Sequence, residues 1–138
     1  MAGRRIYLDT FFVQALLNAN DLYHDRALAL FPEIRSAAEV VTTEAVLTEI
    51  GNALSAGMRQ QAAEFITRCY GAPNITVVPV ETTLFRRALA LYEGRLDKTW
   101  GLTDCISFVV MTEHRLVDAA TGDRHFRQAG FRPLMLDE

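Results

Sequence analysis

The sequence predicts a three-layer α/β/α fold, with a five-stranded parallel sheet lying between helical layers. Three observations lead to it. Five strand-like runs (residues 5–9, 39–42, 75–80, 116–121 and 131–136) alternate with segments of helical period, which implies right-handed crossovers and parallel strands. The 138 residues suffice to bury one sizeable core, and no linker, repeat or low-complexity tract divides them, so residues 1–138 read as a single domain. Hydrophobic residues at 50% and charged residues at 22% match an ordinary soluble globular protein.

The elements follow in order. Residues 5–9 form a short strand ending in an acid, and Thr10 reads as the cap of a helix carrying Phe11, Phe12, Ala15 and Leu16. Asn18-Ala19-Asn20-Asp21 breaks that helix, and a second one over 24–34 carries Ala27, Leu28, Leu30 and Phe31. After the strand at 39–42, Thr43 caps a helix over 45–56 that Gly57 stops. A helix over 59–70, a turn at 71–74 and the third strand come next. Residues 82–91 are helical, with Leu84, Phe85, Ala88 and Leu91 on one face, and 92–101 is irregular. The helix over 102–113 is apolar around its whole girth (Cys105, Ile106, Phe108, Val109, Val110, Met111), as a central buried helix must be. The fourth strand, a short helix over 124–129 ended by Gly130, and the fifth strand complete the chain.

Several function classes recede on composition. A net charge of −3 argues against a passive polyanion binder, which would carry a strongly basic stripe, yet permits an enzyme whose positive charge arrives as bound metal. Cys69 and Cys105 have no C-x-x-C pairing and read as reduced buried thiols. The N-terminal residues lack a signal-peptide core and no apolar run nears ~20 residues, so a cytoplasmic protein without membrane association is expected. His24, His114 and His125 lack zinc-like spacing, no Gly-rich phosphate loop occurs, and Ser36, Ser55 and Ser107 stand outside any nucleophile elbow. Trp100 suits stacking on a base, shielding a site, or simple packing.

The chemistry lies in four acids at strand ends or within apolar helices, where charge is scarce unless paired or bound to metal. In parallel sheets ligands bind beyond the carboxyl ends of the strands, where Asp9 and Asp123 fall. Asp9 is otherwise a turn or capping residue, but Thr10 already suits the cap. Glu49 is flanked at helical spacing by Val46, Ile50 and Ala53, placing it in or beside the buried stripe, whereas Glu44 needs only the helix dipole to explain it. Asp104 opens the buried helix, where the dipole also favours an acid, although Thr103 or Thr99 could cap instead. Asp123 is equally readable as a plain N-cap. Asp97, in the irregular loop with Lys98 beside it, is either a rim residue or an ordinary loop acid, and Asp118 reads as structural or solvent-facing. Four carboxylates brought together repel one another, and hard divalent cations relieve the repulsion.

Tyr7-Leu8-Asp9-Thr10, Val41-Thr42-Thr43 followed by Glu49, Trp100 to Phe108, and Ala120-Thr121-Gly122-Asp123-Arg124-His125-Phe126 before Gly130-Phe131 together resemble a PIN domain, in particular the VapC-type toxin ribonucleases. The resemblance spans nearly the whole chain. It implies Mg²⁺- or Mn²⁺-dependent endonuclease activity on RNA, a partner antitoxin protein and a toxin homodimer. By position, Asp9, Glu49, Asp104 and Asp123 match the family's acidic quartet, and Thr121 matches a supporting hydroxyl residue. Gly101 departs from it, since this subgroup often has serine there. Two other readings compete: a non-catalytic PIN-fold module that binds RNA or protein, and a phosphoacceptor signalling domain. The latter wants a lysine after a late strand, where this chain has Thr121-Gly122-Asp123.

Overall fold

The computed structural model describes residues 3–136. Its strands are β1 (Arg5–Leu8), β2 (Glu39–Thr43), β3 (Ile75–Val78), β4 (Asp118–Ala120) and β5 (Arg132–Pro133). All pair in parallel, in the order β3-β2-β1-β4-β5. From β1 the chain steps outward through β2 and β3, then crosses back to lay β4 and β5 on the other side. The strand order therefore reverses between β1 and β4, and such a reversal opens a crevice at the carboxyl ends of the two strands. Asp9 directly follows β1, and Thr121 directly follows β4.

The helices are α1 (Thr10–Leu17), α2 (His24–Ser36), α3 (Glu44–Ala53), α4 (Arg59–Gly71), α5 (Thr82–Gly94), α6 (Leu102–Glu113) and α7 (Arg124–Gln128). Alternation along β1 sends its side chains to opposite faces. Tyr7 faces α6 and α7: its hydroxyl lies 2.7 Å from Ser107 Oγ and its ring 6.4 Å from that of Phe126. Leu8 faces α1, α2 and α4 instead, with Phe12, Phe31 and Phe65 around it. The central strands are largely apolar inside, with Ile6, Tyr7, Val40, Val41 and Ala119 at zero exposure, as parallel strands covered on both faces require, and the buried hydroxyl of Thr42 is donated to Leu8 O at 2.9 Å. Helix α6 is the buried helix expected, with Cys105, Ile106, Phe108, Val110 and Met111 all in the core.

Several boundaries differ from the sequence reading, each for a local reason. Thr10 is the first residue of α1 rather than its cap; Asp9 holds the cap position with extended backbone, and its side chain caps nothing. Thr43 does cap α3, accepting from Val46 N–H at 3.2 Å. Strand β3 stops at Val78, because Pro79 has no N–H to continue a ladder. Helix α5 runs on to Gly94, and α3 ends at Ala53, short of Gly57. Strand β5 shrinks to two residues: Arg132 N–H donates to Val117 O (2.8 Å) and Leu134 N–H to Ala119 O (2.9 Å), with Pro133 between them.

Candidate metal centre

Asp9 sits at the floor of the crevice, 5% exposed. The first cause acting on its carboxyl is burial, which disfavours the charged form. A 2.7 Å hydrogen bond donated by Thr121 Oγ1 to Oδ2 opposes this, while the charges of Asp104, Glu49 and Asp123 add to it. The balance pushes the carboxyl up to about 7, from an ordinary 3.8. Thr121 is itself buried, and its Oγ1 also accepts the Asp123 backbone N–H at 3.1 Å. One hydroxyl therefore ties the end of β1 to the loop after β4. Among the described residues, Thr10 Oγ1 is the buried side-chain oxygen without a hydrogen-bond partner, and it belongs to the residue next to Asp9.

Asp104, Asp123 and His125 gather at the mouth. One ligand atom from each lies within 4.8 Å of the others. Asp104 stands in the first turn of α6, where its Oδ2 accepts the Gly101 N–H at 3.1 Å and faces His125 Nδ1 at 2.9 Å. Burial raises its carboxyl, the His125 bond lowers it, and the neighbouring Asp123 raises it again. Asp123 caps α7 by accepting the His125 N–H at 2.9 Å, and its Oδ1 lies 3.5 Å from His125 Nδ1. The capping and cluster readings of Asp123 therefore coexist. The other ring nitrogen of His125 lies 3.3 Å from Thr99 Oγ1.

Glu49 differs from its sequence reading. It is exposed, not part of the buried stripe of α3, although its charge reaches both Asp9 and Tyr7. Glu44 is exposed as well, and accepts from the Tyr70 hydroxyl at 2.8 Å. Asp97 spends its carboxylate on the solvent side. Arg95 donates to both its oxygens, at 3.0 and 3.1 Å, and Lys98 lies 3.7 Å away, which holds the group down at about 2. Asp118 is structural, paired with Arg4 (2.9 Å) and Arg132 (2.7 Å). Trp100 packs: it is buried against Phe108 at 5.0 Å between rings, with its N–H donated to Gln128 at 3.0 Å.

His125 is the member the sequence reading passed over. The signal was its place two residues after Asp123 at a helix start, which turns its ring toward the first turn of α6. A search for zinc-like spacing could not find it, because its neighbours in space are carboxylates from distant positions. As a donor set the site is oxygen-rich, with one imidazole, and its mutual repulsion favours a bound cation. Magnesium or manganese fits these groups; a thiol-seeking ion does not, since both cysteines are buried in the core.

Comparison with known proteins adds four findings. A model of the PIN domain family matches residues 6–132. The structure is similar to VapC20 of Mycobacterium tuberculosis, a sarcin–ricin-loop-cleaving toxin, at a TM-score of 0.82 and 27% identity, covering 91% of this chain and 95% of that one. It is also similar to FitAcB from Neisseria gonorrhoeae, at a TM-score of 0.62 and 16% identity, covering 95% and 99%, a likeness that speaks for the fold alone. No curated protein matches it in sequence.

Proposed function

Since the chain belongs to the PIN domain family, we propose that it is a divalent-metal-dependent endoribonuclease, acting as the toxin of a toxin–antitoxin pair. The observation that carries this is Asp9, a buried carboxylate at the strand-order reversal, under the combined field of Asp104, Glu49 and Asp123. Ionised, such a group is costly to a metal-free fold, and a cation that shares its charge offsets the cost.

In this reading Asp9 and Asp104 hold Mg²⁺ or Mn²⁺ directly, and Glu49 and Asp123 hold it directly or through water. Bound there, the ion supplies an acidified water and neutralises charge growing on the phosphate. The chain's own residues arrange the cup. Thr121 fixes the Asp9 carboxylate and the Asp123 backbone with one hydroxyl. Gly101 N–H and His125 fix the orientation of Asp104. Exposed Glu49 adds its charge to the field on Asp9.

The substrate class is RNA. The matched mycobacterial toxin cleaves the sarcin–ricin loop, so a stem–loop of that sequence is the first RNA to offer. Asp9→Asn should abolish Mn²⁺-dependent cleavage and leave the circular dichroism spectrum unchanged, and EDTA should abolish cleavage by the unmodified protein. Full cleavage by the variant, or undiminished cleavage in EDTA, would sink the reading.

Two surfaces suit the partners. An apolar groove of about 770 Å³ between α1, α2 and α4, lined by Phe12, Leu16, Leu28, Phe31 and Phe65, is the one we assign to an antitoxin. Exposed Phe85, Leu89 and Tyr92 recur at helical spacing along α5, with Leu96 just beyond it, and we assign this stripe to a second copy of the chain. No helix among the described residues is long and apolar enough to cross a membrane; we place the protein in the cytoplasm.

A further inference from the structure

We propose that His125 is itself a metal ligand, which adds one nitrogen donor to the acid cup and tilts it toward manganese over magnesium; this rests on the metal-dependent reading above. Its Nδ1 stands 2.9 Å from Asp104 Oδ2 and 3.5 Å from Asp123 Oδ1. One donor atom from each of the three residues lies within 4.8 Å of the others. Ligands at neighbouring corners of an octahedron stand about 3 Å apart when their bonds are about 2.1 Å long. The ring nitrogen thus already keeps the spacing of a ligand beside the two carboxylates.

The local structure holds the ring in that place. Asp123 accepts the His125 backbone N–H at 2.9 Å, so the two residues are fixed to each other at the start of α7. Phe126, the next residue, is fully buried with its ring 5.0 Å from that of Phe108 on α6, which keeps α7 from rolling the imidazole away. The first turn of α6 is set in its turn by the Gly101 N–H, donated to Asp104 at 3.1 Å. The imidazole is sheltered yet reachable, with 27% of its side-chain surface exposed.

Thr99 suits the ring to both states of the site. Its Oγ1 lies 3.3 Å from Nε2, and a hydroxyl either donates or accepts. Without an ion, Nδ1 carries the proton and donates to Asp104, while Thr99 donates to Nε2. With an ion, the Nδ1 proton leaves to solvent and another is taken up at Nε2, which then donates to Thr99 and leaves the Nδ1 lone pair for the metal. A ligating histidine almost always donates its other ring N–H to a fixed acceptor, and Thr99 is placed to be that acceptor. Magnesium takes oxygen ligands and keeps its waters, so an imidazole adds little to its binding. A first-row transition ion such as manganese accepts nitrogen and oxygen donors together.

The test is pulsed EPR on the full chain loaded with substoichiometric Mn²⁺, alongside a sample whose histidine rings carry nitrogen-15. The expected result is a nuclear coupling from one directly bonded ring nitrogen, altered by the label and absent in H125N. Asparagine keeps a donor for Asp104 near the Nδ1 position but has no ring nitrogen to offer a metal. In calorimetry without RNA, H125N should lose Mn²⁺ affinity by about tenfold or more and keep its Mg²⁺ affinity, so the preference for manganese shrinks by the same factor. The labelled unmodified protein gives its answer even where H125N does not fold. Mn²⁺ bound without nitrogen coupling overturns the assignment, and RNA cleavage by that same protein leaves the ribonuclease reading standing. Equal losses of the two ions in H125N would make His125 a positioning residue for Asp104 and overturn it as well. If the unmodified protein neither binds Mn²⁺ nor cleaves RNA, both readings fall together.

Discussion

At the scale of the residue, Asp9 gives the molecule its pH dependence. In the unfolded chain its carboxyl loses its proton near 3.8, but in the folded chain only near 7. Between those values the folded state holds the extra proton, so metal-free stability is highest below the lower value and falls as pH rises toward 7. Each pH unit is worth about 1.4 kcal/mol, so the loss is on the order of 4 kcal/mol. Thermal melts in EDTA should therefore show the melting temperature falling between about pH 4 and pH 7 for the unmodified protein and falling less steeply for Asp9→Asn, in which Asp104 is still raised by burial. Saturating Mn²⁺ should restore the unmodified protein at pH 7.5, by about 2.7 kcal/mol at a hundred times its dissociation constant, but not the variant. Thr121→Val removes the 2.7 Å bond to Asp9 and the acceptor for Asp123 N–H. It should weaken Mn²⁺ binding roughly ten- to a hundredfold in calorimetry, as removal of an orienting partner does; an unaltered affinity would make Thr121 a packing residue only. The acids were legible because charge in apolar surroundings is rare. Glu49's exposure was not: Val46 and Ile50 flank it in sequence, but a helix turns about 100° per residue, so its neighbour Ile50 can be buried while it faces solvent.

At the scale of the element, the site depends on how β1, α3 and α6 are held together. Tyr7 does much of this. Its hydroxyl reaches Ser107 on α6 at 2.7 Å and Thr43, the α3 cap, at 3.5 Å, all shielded from water. Those elements also lead into or carry Asp9, Asp104 and Glu49. Tyr7→Phe should cost about 1–2 kcal/mol in urea unfolding, the usual effect of leaving a buried hydroxyl without its partner. It should also lower Mn²⁺ affinity, because Asp9 and Asp104 lose a shared anchor; a stability loss with unchanged affinity would confine Tyr7 to packing. Every strand and helix existed where periodicity placed it, since alternation and 3.6-residue spacing report burial directly. Their ends were less legible. Thr10 looked like a cap by residue type, yet Asp9 took that position while its side chain was claimed by Thr121, from a strand end 112 residues away. No local pattern carries such a contact.

At the scale of the whole molecule, the order of elements was readable but the strand order was not. Alternation fixes neither which strand becomes central nor where the direction reverses, and it is that reversal between β1 and β4 that brings Asp9 beside Thr121 and Asp123. The exposed stripe on α5 leads to a prediction about assembly. If two copies meet there, light scattering coupled to size exclusion should report a dimer for the unmodified chain and a monomer for F85E/L89E, whose charges would be buried at the seam. A double variant that remains dimeric would place the contact elsewhere.

The shape of β5 limits how such copies can join. Arg132 and Leu134 turn their N–H groups inward to β4, so the outward-facing position between them belongs to Pro133, which has no N–H to give. A strand arriving from a neighbouring molecule would find no donor at that margin. The sheet is closed on this side to growth by strand addition, and crowding of many copies in a cell should leave it unextended.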